Sequence, residues 1–229
     1  MQAAHPLDRP VWNALRSRQA DLAETRGQAL RIRPQFGIFA AAETAEDANQ
    51  ADLAALATSG DLGVVETRAW PTPPGLIAET HALTQMVALA LTPAPPPAFE
   101  IVPLTDADAP QMLELATLTK PGPFFSRTHE LGDFIGVKEN SQLIAMAGER
   151  LKLPGFTEVS GVCTRPGHRG RGYAAALMRV VAGRIVARGE TPFLHAYAHN
   201  TSAIGLYETL GFQFRTVMTL TALSRPSDA

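Results

Sequence analysis

The stretch VCTRPGHRGRGYAAALMR, residues 162–179, constrains this chain more than any other. It runs from an apolar segment through Gly167, Gly170 and Gly172 into an alanine-rich run. A strand, a glycine loop and a helix in succession belong to α/β folds, and they set a helix N-terminus beside a strand end. Helix starts carry unpaired N–H groups and the positive end of a dipole, so an anion is the natural ligand there. No acidic residue lies between Glu158 and Glu190, whereas Arg165, Arg169, Arg171, Arg179, Arg184, Arg188 and His168 do. The 229-residue chain has a net charge of −2. The positive field is therefore local, and it suits a small polyanion better than nucleic acid.

Three phosphate-binding patterns compete for this loop. A P-loop needs G-x-x-x-x-G-K-[ST], and no lysine follows Lys152. A dinucleotide fingerprint fits GRGYAA at 170–175, with Glu190 in the place of the ribose-binding acid. Against it, RPGHR intervenes after Thr164, and only 39 residues follow Glu190. The third pattern, R-x-x-G-x-A, falls on Arg169, Gly170, Arg171, Gly172, Tyr173 and Ala174. Here successive backbone N–H groups converge on a pyrophosphate, and the glycines allow close approach.

The proline run within residues 93–98 resists both helix and interior strand and reads as a stiff connector. It divides a small α/β region over 1–92 from a larger unit over 99–229. In the first, the pattern predicts helices over 11–24 and 44–57, the latter capped by Thr44, strands over 36–41 and 62–67, and a short apolar element over 84–91. In the second it predicts β-α-β-β-β-α-β-α-β, a mixed α/β sheet with helices on its faces. The first helix of that unit presents Met112, Leu115 and Leu118 at three-residue steps. The lone cysteine, Cys163, rules out an internal disulfide. No apolar run reaches about 18 residues, and MQAAHPLDRPVW lacks the pattern of a secretory leader. A cytoplasmic protein with neither a membrane nor a nucleic-acid partner is expected.

EVSGVCTRPGHRGRGYAAALM, followed by NTSAIGLYETLGF, resembles the paired motifs of the GNAT superfamily of acetyl-CoA-dependent N-acyltransferases. The resemblance spans roughly residues 99–222. The C-terminal half is also similar to glycine N-acyltransferase-like proteins. In some of those a degenerate copy of the fold precedes the active one, so residues 1–92 are expected to be a partial copy. The resemblance implies a mixed, mostly antiparallel sheet flanked by helices, with strands that splay beside the cofactor. It implies acetyl-CoA, or another acyl-CoA, as cofactor. The pyrophosphate then falls on Arg169 to Ala174 and the pantetheine arm along Val162, Cys163 and Thr164. Asn200, Ala203 and Tyr207 stand on the second motif's helix.

Acyl transfer from a thioester to an amine needs the amine deprotonated and the departing thiolate protonated. By the resemblance, Tyr207 is the acid, a phenol that stays neutral until the thiolate forms. Glu158 is the candidate base. Strand alternation puts it on one face with Ser160, Val162 and Thr164, and puts Cys163 on the other, in the core. That placement weighs against Cys163 as a nucleophile. His195, Tyr197 and His199 alternate on a later strand, and His195 and Tyr197 are candidates for lining a substrate cleft. Two histidines without a third ligand at motif spacing do not make a zinc site. In the loop over 119–134, Phe124 and Phe125 offer an apolar wall and Arg127 a fork for a substrate carboxylate. The expected acceptor is the primary amine of a small molecule or amino acid. A peptide acceptor, a non-catalytic acyl-CoA sensor and a homodimer stay open as alternatives.

Overall fold

A computed structural model of the chain describes residues 5–57 and 60–226. The first four residues of the N-terminal stretch read above lie outside them. The elements run α1 (Pro10–Leu15), β1 (Ala23–Arg26), β2 (Ala29–Ile32), β3 (Ala40–Ala42), α2 (Asp47–Leu56), β4 (Leu62–Glu66) and β5 (Ile77–Val87) before the proline run. After it come β6 (Val102–Pro103), α3 (Ala109–Thr119), β7 (Phe134–Glu139), β8 (Gln142–Leu153), β9 (Phe156–Thr164), α4 (Tyr173–Ala187), β10 (Thr191–Tyr197), α5 (Thr201–Thr209) and β11 (Gln213–Ser224). The second series is the predicted order. The fold is mixed α/β, and among the described residues no helix is long and apolar enough to cross a membrane.

The sheet crosses the proline boundary. Its order is β4-β11-β5-β10-β9-β8-β7-β6, beside a small sheet of β1-β2-β3. Only β9 and β10 pair in parallel within the large sheet; its other pairs are antiparallel. The two halves repeat one succession. Three antiparallel strands, a helix and a further strand appear as β1-β2-β3-α2-β4 and again as β7-β8-β9-α4-β10. In each half the strand after the helix meets the one before it in parallel, Phe39 with Gly63 and Phe156–Glu158 with Thr191–Phe193. The closing strands are exchanged: β5 of the first half pairs with β10, and β11 of the second pairs with β4. A boundary drawn from composition at 93–98 therefore separates the chain but not the core. Leu7, Leu15, Phe39 and Val65 bury themselves with Leu151, Phe193, Met218 and Leu220. The buried Gln19 side chain joins the halves further, donating to Arg150 O at 2.7 Å and accepting from Lys152 N at 3.1 Å.

Several local expectations shift for physical reasons. The helix predicted over 11–24 stops at Leu15, because Gln19 is drawn onto β8. The strand expected over 36–41 shortens to Ala40–Ala42, while Phe36 and Phe39 turn into the core. The strand expected from Phe99 pairs only at Val102–Pro103, where proline, lacking an N–H, sits on the sheet edge. In the second half, Met112, Leu115 and Ala116 are buried, while Leu118 is 50% exposed. A three-residue step drifts about 60° per step against the 3.6-residue turn, so its third member leaves the buried face. On α4, Leu177, Met178, Val181, Ala182 and Ile185 form one buried stripe against the sheet, and Gly189 takes a left-handed φ of 76° just beyond its end.

β9 carries one extra residue. Gly148 and Met146, two apart on β8, face Ser160 and Cys163, three apart on β9. Gly161 takes φ 63° at this bulge, and a Cβ there would meet the Phe134 ring at 2.8 Å. Simple alternation fails as a result. Glu158, Ser160 and Cys163 share a face, and Val162 packs with the α4 cluster on the other. Cys163 is still in the core, among Met112, Leu115 and Phe134.

Candidate active site

Pairing between β9 and β10 ends at Glu158 and Phe193. Beyond that point the two strands separate, leaving the β9 edge from Val159 to Thr164 without a strand on that side. A cavity of about 560 Å³ opens at the gap. Val162, Cys163 and Thr164 line it on one side, His195 and Tyr197 on the other.

The loop from β9 to α4 forms one end of the cavity, with Arg169, Gly170, Arg171, Gly172, Tyr173 and Ala174 all on its wall. Gly167, Gly170 and Gly172 take φ of 84°, 78° and 80°, the region where other residues are strained. Gly172 is the N-cap of α4 and offers no side chain to cap it. The first helical bond is Ala176 N to Gly172 O at 3.1 Å. The N–H groups of Gly170, Arg171, Gly172, Tyr173, Ala174 and Ala175 have no acceptor among the described residues. They form a concentrated set of donors at the positive end of a 15-residue helix. The arginines stand aside: Arg171 reaches Glu139 at 3.6 Å and Arg169 leans on Thr164 O at 3.5 Å, both exposed. Tyr173 contributes its backbone. Its ring is buried against Phe99, and its hydroxyl donates to Glu139 at 2.8 Å.

α5 closes the second side. Asn200 is its N-cap and accepts from Ala203 N at 3.2 Å, and both residues line the cavity. One turn further on, Tyr207 packs beside Phe212 at 6.4 Å between ring centroids. Its hydroxyl makes no hydrogen bond within the described residues, and burial raises its pKa above the ordinary phenol value. It is a protonated donor through the neutral range.

Glu158 does not line the cavity. Its side chain is fully buried, and both oxygens are taken. Arg150 donates Nε and Nη2 to them at 2.8 Å each, and His195 Nδ1 lies 2.8 Å from Oε1. A second bulge, on β8 between Glu149 and Lys152, places Arg150 there. Burial alone would push the Glu158 carboxyl up, but Arg150 and His195 outweigh it and hold it at about 2. A carboxylate so committed is a poor proton acceptor, so Glu158 is not placed to serve as the direct base. Its pKa makes a prediction. A carboxylate depressed below its unfolded value of 4.5 adds stability that is fully present above that pH and lost as the pH falls toward about 2. Stability from urea unfolding is expected to drop by about 2 kcal/mol between pH 5 and pH 3. Glu158→Gln should be less stable at pH 7, with a flatter acid response. An equally steep loss in the variant would assign the acid sensitivity elsewhere.

His195 is fixed as a tautomer. Gln85 donates Nε2 to Leu7 O at 2.9 Å and accepts from Arg215 Nη1 at 2.6 Å, which sets the orientation of its amide. The other Gln85 N–H then points at His195 Nε2, 2.9 Å away. His195 Nε2 must accept, and Nδ1–H donates to Glu158. Both imidazole nitrogens are engaged. Tyr197 stacks on His199 at 5.5 Å and meets His81 edge-on.

The acceptor loop reaches the cavity through Thr119, Lys120, Pro121, Gly122 and Pro123, but its three named candidates do not line it. Arg127 is exposed, and its fork is closed by Glu130, so it has no free face for a substrate carboxylate. Phe124 packs on Phe134 in the α3 cluster, and neither it nor Phe125 lines the cavity. Cys163 is a buried thiol that burial pushes up to about 11, which leaves little thiolate for nucleophilic attack. Residues that sequence reasoning missed on the wall include Phe39, Val65, Leu83, Leu151 and Leu220, with Arg150. Of these only Arg150 left a signal, as part of a charged pair within an apolar strand run.

A mixed sheet parted at its one parallel pair, with a helix start full of free donors at the opening, defines a class of fold and site. The comparisons agree with it. A model of the FR47-like protein family matches residues 134–220. A crystal structure from Novosphingobium aromaticivorans, assigned to the acetyltransferases of the GNAT family, is 44% identical over 98% of this chain and 100% of its own, with a TM-score of 0.88. The chain belongs to the GNAT family. A GCN5-related N-acetyltransferase from Kribbella flavida (16% identity, 95% of this chain, 93% of its own, TM-score 0.63) shares the fold. So does a GCN5-related N-acetyltransferase-like protein from Streptococcus suis (16% identity, 93% and 92%, TM-score 0.60). No match was found among curated proteins.

Proposed function

We propose that this protein transfers an acetyl group from acetyl-CoA to the primary amine of a small molecule. The observation that carries the reading is the set of unpartnered N–H groups from Gly170 to Ala175 at the mouth of the gap between β9 and β10. The residues present fit the cofactor. A Cβ added at Gly167, Gly170 or Gly172 would meet nothing in the protein, so that side of the loop is open to a pyrophosphate. The edge at Val162 to Thr164 suits the amides of the pantetheine arm, and Asn200 and Ala203 face it from α5. Bound there, acetyl-CoA supplies an acyl thioester for attack by an amine nitrogen with release of the thiol.

Within the chain, Tyr207 holds the proton for the sulfur end. Its hydroxyl makes no hydrogen bond among the described residues and lies on the same cavity as the loop. The amine end lacks a ready base. Glu158 is closed off by Arg150 and His195, and His195 Nε2 is taken by Gln85. Glu158 acts as a positioning residue that fixes His195, and the amine enters as the free base. Residues 23–66 are a reduced copy of the fold that has lost the anion site. Where the second half has its glycine loop, the first has Glu43 and Glu46 before α2 and Asp47 as its first residue, and carboxylates there repel phosphate. The narrower likeness to glycine N-acyltransferases is not extended to the acceptor, since Arg127 is paired with Glu130.

Calorimetry is expected to show acetyl-CoA binding in a one-to-one ratio, with free thiol released when a primary amine is added. No binding at millimolar acetyl-CoA would overturn the reading.

A further inference from the structure

The cavity runs well past the gap. Val65 on β4 lies three strands beyond β10 in the sheet order, about 14 Å at the usual strand spacing. That far portion is walled by Phe39, Val65, Leu83, Leu151 and Leu220. The first three come from the N-terminal half, and the strand exchange brings β4 and β5 there. The charged groups at this end are closed on one another, Arg150 with Glu158 and His195 with Glu158 and Gln85, which leaves the uncharged Tyr197 hydroxyl as the polar atom without a hydrogen bond among the described residues there. Among the described residues no Asp or Glu side chain lines the cavity.

We infer that the acceptor is a monoamine carried on an apolar alkyl or aryl body, and that the N-terminal half supplies the wall that selects it. The inference rests on the acetyl-transfer reading above. An apolar body gains by leaving water along the Phe39, Val65 and Leu83 wall. A second ammonium group would be desolvated there with no carboxylate to meet it. Diamines and polyamines are therefore poor acceptors.

The test compares thiol release from acetyl-CoA with n-alkylamines from ethylamine to hexylamine, with 2-phenylethylamine, and with putrescine and spermidine. Each rate is corrected for its free-base fraction. kcat/KM should rise about two- to fourfold per methylene along the alkyl series, and butylamine should exceed putrescine at least tenfold. Val65→Asp, which adds a carboxylate to the wall, should narrow the butylamine-to-putrescine ratio. Retained acetyl-CoA binding reports that this variant folds, and the wild-type series decides the question if it does not. Putrescine or spermidine matching butylamine would overturn the inference while leaving acetyl transfer intact. Acetyl-CoA binding with no transfer to any of these amines would overturn the transfer reading, and this inference with it.

Discussion

Acetyl-CoA affinity is expected to fall about a hundredfold or more in Gly172→Glu. Gly172 sits at φ 80° as the N-cap of α4, and a Cβ there would point into open space. A left-handed non-glycine residue costs about 1–2 kcal/mol, small against the about 5–15 kcal/mol of a typical domain. The variant should fold. Its carboxylate, however, would stand where Gly170 to Ala175 offer their free N–H groups, and would compete for those donors while repelling a phosphate. Charge-assisted hydrogen bonds are worth about 1.5–3 kcal/mol each, so the loss of two already gives two decades or more. Calorimetry beside a thermal melt separates the two effects. Undiminished binding by a folded Gly172→Glu protein would place the cofactor elsewhere.

Tyr207→Phe should lower kcat by about 10²–10³-fold, within the range of general acid catalysis, and leave acetyl-CoA binding within about threefold of the parent, since the variant removes one uncharged hydroxyl. The hydroxyl has no partner among the described residues, and the ring packs beside Phe212. Removing the oxygen therefore keeps the packing and takes one hydroxyl from the cavity wall. Thermal stability should hold. Pre-steady-state thiol release reads the chemical step directly. A rate equal to the parent's would remove Tyr207 as the proton source.

The glycine loop before α4 was legible because its information is local. Three glycines at left-handed φ, the helix they open and the missing side-chain cap all fall within residues 167–176. Asn200 was legible for the same reason, since capping is decided within one turn. The order of elements after the proline run was legible from hydrophobic period alone. Glu158 shows where such reading ends. A glutamate on a strand before an anion loop looks available, yet its burial depends on Arg150 from β8 and His195 from β10. The bulge at Gly161 then resets which β9 side chains share its face. Arg127 erred the other way: its sequence neighbour Glu130 closes the fork that a substrate was expected to use.

By itself, the sequence determined the mixed α/β class, the succession of the second half and the glycine loop with unpartnered N–H groups at the start of α4, because short-range geometry and hydrophobic period encode each of them. The tertiary structure decided that residues 5–92 and 99–226 share one sheet, since β5 and β11 exchange places between halves. It also decided the far wall of the cavity, where Phe39, Val65 and Leu83 meet Leu151 and Leu220 from far along the chain. Strand partners of such separation leave no periodic trace in a sequence, because pairing is chosen by what the remaining sheet leaves unburied.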